Sequence, residues 1–141
     1  MSKFDHLQKT LAIDPDAFSV KTSRNRVVSF GYAAAGIAHM LRYSINLRIQ
    51  ALATVLVCII GFWLDISRIE WALMALVIGL NWFAEFVNTA VESAVNLASP
   101  DYHPMAQVAK DVAAGAVLLM TIIAVIMGAL IYLPPFWEKI S

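Results

Sequence analysis

The chain is poor in charge, has one cysteine and carries no phosphate-cradling glycine loop. Only 14% of its 141 residues are Asp, Glu, Lys or Arg, against about 25% in soluble domains. Ten basic side chains balance ten acidic ones, so no basic bulk points to nucleic acid. Cys58 has no partner for an intrachain disulfide and lies in an apolar run, where it reads as packing. Neither GxxxxGK[ST] nor a kinase-type glycine loop occurs, so a nucleotide site would have to be built from side chains. The opening "MSKFDHLQKTLAIDPDAF" lacks the apolar core and small-residue cleavage site of a signal peptide. The oily segments are therefore expected to be mature structure. Internal repeats and low-complexity tracts are absent.

What remains is apolar: 60% of residues, with mean hydropathy +0.72. One domain is the natural count at this length. A helix needs about 20 apolar residues to cross the hydrocarbon. Three spans are expected, over residues 49–64, 69–96 and 111–133. The first, "IQALATVLVCIIGFWL", is short and should borrow residues from before Ile49. Trp63, Trp71, Tyr132 and Trp137 lie near span ends, where aromatic rings favour the interface. The fold class is thus all-α integral membrane.

The flanks set a direction. Lys3, Lys9, Lys21, Arg24, Arg26, Arg42 and Arg48 precede the first span, whereas the connector "DISRIE" carries only Arg68. The positive-inside rule puts the N-terminus of this multi-pass membrane protein in the cytoplasm. The connector between the second and third spans then faces ATP. Residues 1–23 read as a cytoplasmic arm. Over residues 24–48, Phe30, Ile37, Leu41 and Ile45 recur at helical spacing among Arg26, Arg42, Asn46 and Arg48. That pattern predicts an amphipathic helix on the cytoplasmic leaflet. The plainer reading is a solvent-facing helix packed on the spans.

One stretch departs from the oil: "EFVNTAVESAVNLASPDYHPMAQVAKD", from Glu85 to Asp111. At 100° per residue, Glu85, Asn88, Glu92 and Asn96 fall within a wedge of about 80°. Glu85 and Glu92 are about 10 Å apart along the helix axis. Ionisable groups at a membrane edge are costly, so they usually face a bundle interior or wet cavity and mark function. The bland alternative is an interhelical polar clamp, with Lys110 or an arginine pairing a glutamate. Carboxylate plus amide also suits a hard cation, since Mg²⁺ often uses one or two carboxylates with substrate phosphates. Lys110 can meet a phosphate oxygen, and Asp111 can hold a metal-bound water or orient that lysine. Gly115 and its small neighbours are expected to allow close helix packing. His103 can contact a phosphate, although a lone histidine in a turn is more often plain surface.

The residues "ExxNTAxE", "YHP" and "AKDxAAGAVL" resemble the prokaryotic diacylglycerol kinase and undecaprenol kinase family of small integral-membrane lipid kinases. "SFGYAAAGI", "NLRI" and "ISRIEW" extend the resemblance over about residues 24–133. "SPDYHP" and "AKDVAAGAVLL" are closer to the undecaprenol-kinase branch. The resemblance implies three transmembrane helices, an N-terminal surface helix and a homotrimer with sites at protomer interfaces. It implies transfer of the γ-phosphoryl of MgATP to a membrane lipid alcohol, undecaprenol first and diacylglycerol otherwise. Glu85 matches the catalytic base, Asn88 the amide beside it, and Glu92 a metal-binding glutamate that also serves the nucleotide site. Lys110 and Asp111 match a nucleotide-contacting pair. Asp101, Tyr102 and His103 match a second such segment, and Tyr32 a tyrosine near the nucleotide.

Three positions depart from the family pattern. Ser44 stands where the surface helix carries a second metal-binding glutamate, Asn96 where an aspartate follows Glu92, and Ala35 where a lysine precedes a glycine. A second reading therefore stands beside the kinase: a catalytically impaired paralogue acting as a membrane or lipid-binding subunit.

Overall fold

The computed structural model describes residues 26–99 and 101–141, and the arm expected over residues 1–23 lies outside them. Four helices follow one another: α1 (Arg26–Tyr43), α2 (Ile45–Leu64), α3 (Arg68–Ala98) and α4 (Pro104–Ile140). The last three are each long and apolar enough to cross a membrane. By contacts the chain divides into residues 1–38 and 39–141. The first unit contributes the N-terminal part of α1, and the second holds the three long helices.

The helix expected over residues 24–48 is divided. A break falls at Ser44, and residues 45–48 belong to the first membrane helix. The reason is local. Ser44 leaves helical geometry (φ −85°, ψ 116°), and its hydroxyl accepts the N–H of Leu47 at 3.1 Å, an N-cap. The first span gains the residues it lacked.

The "DISRIE" connector is tightly specified. Asp65 adopts left-handed backbone (φ 56°), unusual outside glycine but tolerated by Asp. The N–H of Ile66 donates to Gly61 O at 3.3 Å and that of Asp65 to Phe62 O at 3.4 Å, which closes α2 as a Schellman motif. Two residues on, Ser67 and Glu70 form a capping box that opens α3. Ile66 is thereby turned inward, into a small core with Leu64, Met74 and Ile131.

Helices α2, α3 and α4 pack on one another, α3 with α4 most extensively. The end bearing the connector is aromatic: Phe62 lies 4.7 Å from Trp71, and Trp63 6.1 Å from Phe136, between ring centroids. Helix α4 runs on to Ile140, past the expected end at residue 133, with Pro134 and Pro135 inside it. Its last turns are held by the Phe136 ring against Trp63 and by Lys139, whose Nζ donates to Trp63 O. Those contacts offset the hydrogen bonds that proline cannot donate.

Among the described residues Gly115 is not a point of close approach; none of their atoms beyond its own helix turn lies within 4 Å of where its Cβ would stand. Gly61 takes that role, against Trp71. Most apolar side chains of the three long helices are exposed, including Leu52, Leu76, Leu118 and Val125. Surface of that kind on helices of this length is suited to lipid or to neighbouring helices.

Candidate functional site

The acidic stripe forms because α3 continues without interruption past Ala84. One helical face then carries Glu85, Asn88 and Glu92 toward the break between α1 and α2. A cavity of about 290 Å³ lies there, lined by Ser44, Asn46, Glu85, Asn88, Thr89 and Glu92, with His39, Met40 and Tyr43. Glu85 is 2% exposed and Asn88 8%, the buried polar side chains among the described residues. Glu92 is half-buried.

The hydrogen bonds are few. Ser44 Oγ donates to Glu85 Oε1 at 3.2 Å, and Asn88 Nδ2 donates to Glu92 Oε1 at 3.4 Å. Glu85 Oε2 and Asn88 Oδ1 are buried with no partner. Orphaned buried oxygens cost free energy of about 1–3 kcal/mol each, more for a charged group. Two such oxygens lining one cavity can be satisfied there by a water, a ligand donor or a cation. No cluster of three or more His, Cys, Asp or Glu side chains gathers here among the described residues. The oxygen set, two carboxylates and an amide, still fits Mg²⁺, which completes its shell with water and phosphate rather than protein alone.

The connector residues gather separately. Asp101, Tyr102, His103 and Lys110 line a second cavity of about 160 Å³ with Asn96, Ser99 and Gln107. It shares no lining residue with the first. His103 is more than a turn residue. It is the N-cap of α4, its Nδ1 accepting the N–H of Met105 at 3.2 Å, with Pro104 opening the helix. Asp111 belongs to neither cavity and accepts from Gln107 Nε2 at 2.8 Å. Tyr32 lies on α1 within the first unit.

Deeper along the helices a third cavity, of about 330 Å³, is mostly apolar but crossed by polar pairs. Trp82 Nε1 donates to Thr54 Oγ1, and Thr121 Oγ1 to Asn81 Oδ1, each at 3.2 Å. Sequence reasoning passed over these pairs. Their signal was available: Thr54, Asn81 and Thr121 are polar residues inside otherwise apolar spans.

A protein of three membrane-length helices with an acid–amide cavity between α3 and the α1–α2 break belongs to a recognisable class of membrane proteins, and similarity to known proteins gives its family. The profile described as prokaryotic diacylglycerol kinase matches residues 31–132. The chain belongs to that family of membrane lipid kinases. It is 42% identical over 106 residues to the undecaprenol kinase of Bacillus subtilis, covering 75% of this chain and 86% of that protein. It is 43% identical over 112 residues to a diacylglycerol kinase of Synechocystis, covering 79% of this chain and 64% of the relative. Against the diacylglycerol kinase of Pseudomonas aeruginosa, identity is 33% over 115 residues, 80% of this chain and 94% of the other.

Proposed function

We propose that the chain transfers the γ-phosphoryl of MgATP to the hydroxyl of a membrane lipid alcohol, undecaprenol before diacylglycerol. The observation that carries this reading is Glu85: a buried carboxylate with one oxygen fixed and the other unpartnered among the described residues, facing the cavity at the break between α1 and α2. Glu85 is the general base. It takes the lipid hydroxyl proton as the new O–P bond forms and the bond from the γ-phosphorus to the bridging oxygen of ADP breaks. Asn88 holds the reacting hydroxyl beside that carboxylate. Lys110, Asp111, Asp101, Tyr102, His103 and Tyr32 contact the nucleotide. Positioning and charge neutralisation dominate phosphoryl transfer, so a chain with few polar groups suffices. Glu92 would hold Mg²⁺, which supplies neutralisation of phosphate charge when bound with ATP.

The acid–amide cavity and the connector cavity share no lining residue within one chain. That separation, with the exposed apolar faces, favours a homotrimer in which neighbouring subunits complete one site. The N-terminus is cytoplasmic, and the protein lies in a bacterial inner membrane. The undecaprenol preference is supported by the wording of "SPDYHP" and "AKDVAAGAVLL". The specific observation favouring an impaired paralogue is that Ser44 and Asn96 occupy positions where the family resemblance places acids.

Purified protein, labelled ATP, Mg²⁺ and a panel of undecaprenol, diacylglycerol and other lipid alcohols test the proposal. Radiolabelled lipid phosphate is expected, highest with undecaprenol. Lipid binding with no phosphate transfer across the panel would favour the impaired paralogue instead.

A further inference from the structure

The Ser44 hydroxyl has two partners, and together they fix its proton. As N-cap of α2 it accepts the Leu47 N–H at 3.1 Å. That donor belongs to a residue with 0% exposure, so water does not compete for the bond. With one lone pair so occupied, the hydroxyl proton is free to point at Glu85 Oε1, 3.2 Å away. Glu85 is itself 2% exposed, and among the described residues no other hydrogen bond holds its carboxylate. Oε1 is engaged and Oε2 is left without a partner.

A carboxylate rotates about its last bond over a broad, two-fold profile. A single donor anchored to a helix terminus narrows that rotation. The N-cap is a suitable anchor because its backbone geometry is set by the first turn of α2.

We propose that Ser44 is a positioning residue for the Glu85 base. Its capped hydroxyl holds Oε1, so that Oε2 is the oxygen presented to the lipid hydroxyl. The proposal rests on the reading of Glu85 as general base. It gives the residue that stands in place of a family acid a role of its own, one that needs no metal. Misplacing a catalytic group by about 1 Å can cost about 10²-fold in rate, which sets the scale of the effect.

The test separates the cap from the donor. Glycine caps a helix almost as well as serine but offers no hydroxyl. Ser44→Gly should therefore keep thermal stability close to that of the parent while kcat falls about 10- to 100-fold, with KM for ATP and lipid changed less than about threefold. Ser44→Thr retains both cap and hydroxyl and should recover most of the rate. In a Glu85→Gln background, Ser44→Gly should cost nothing more, because both changes act on one group. A readout independent of turnover is the isotope-labelled carboxyl signal of Glu85, assigned by its loss in Glu85→Gln. It should move in Ser44→Gly and stay in Ser44→Thr. An unmoved signal, or an unchanged kcat in Ser44→Gly, overturns the proposal. If Glu85→Gln itself retains turnover, the base reading fails, and with it the premise.

Discussion

The indole of Trp71 lies across the backbone of Gly61. A Cβ at position 61 would stand 2.9 Å from Trp71 Cη2, 3.0 Å from Cζ2 and 3.2 Å from Ile66 Cδ1. This contact ties the end of α2 to the start of α3 and seats Ile66 in the core beside Leu64, Met74 and Ile131.

Gly61→Ala is therefore a stability test. Helix propensity favours alanine by about 1 kcal/mol. Overpacking opposes it by about 1–3 kcal/mol, because both the indole and Ile66 would have to shift. Overpacking is expected to win by on the order of 1 kcal/mol. Thermal unfolding in detergent checks this. An equal or higher midpoint would mean that the indole swings aside freely.

Glu85→Gln addresses the chemistry. The amide preserves size but cannot accept the hydroxyl proton as a base. Turnover should fall about 10²–10⁴-fold, the usual share of general-base assistance, while nucleotide binding survives. Steady-state kinetics and a fluorescent nucleotide titration measure the two separately. A near-normal rate would reduce Glu85 to an interhelical clamp on Ser44.

Ser44→Glu asks whether position 44 marks a vacated metal ligand. Its hydroxyl lies 3.2 Å from one oxygen of Glu85, so a carboxylate there would crowd a second negative charge into the same cavity. A cation relieves that crowding. The Mg²⁺ concentration for half-maximal rate should drop, whatever happens to the maximal rate, since hard cations favour charged oxygen. The drop should vanish in the double variant with Glu92→Gln, because both changes act on one ion. Unchanged Mg²⁺ dependence, with fold and assembly intact, would mean the site is organised without that position.

Topology is open to chemical labelling. Six Lys and Arg residues precede α2, a seventh, Arg48, lies in its first turn, and only Arg68 lies by the following connector. The N-terminus should therefore be cytoplasmic and the C-terminus external. Cysteines placed at Ser2 and Ser141, probed on intact cells with an impermeant reagent, should react at Ser141. Preferential reaction at Ser2 would move the acidic cavity away from ATP.

The Glu85–Asn88–Glu92 stripe was legible in the sequence because three- and four-residue spacing puts side chains on one helical face wherever the helix goes. The long apolar helices were legible for a similar reason: length and hydropathy are local sums. The capping box at Ser67 and Glu70 is local too. What the sequence left open depended on contacts between segments distant in the chain. Ser44 looked like a missing acid. Only packing of the α2 N-terminus against α3, 41 residues away, made it the donor to Glu85. Gly115 and Gly61 sit alike in apolar helices, and only the approach of Trp71 decided which one must stay small. His103 looked like a turn residue until the start of α4 at Pro104 placed it as a cap. The sequence by itself determined the apolar spans and the face that carries the acids, because these follow from periodicity and composition. The tertiary structure decided which polar atoms are paired and which are left open, because hydrogen bonds between helices depend on distances that no linear spacing contains.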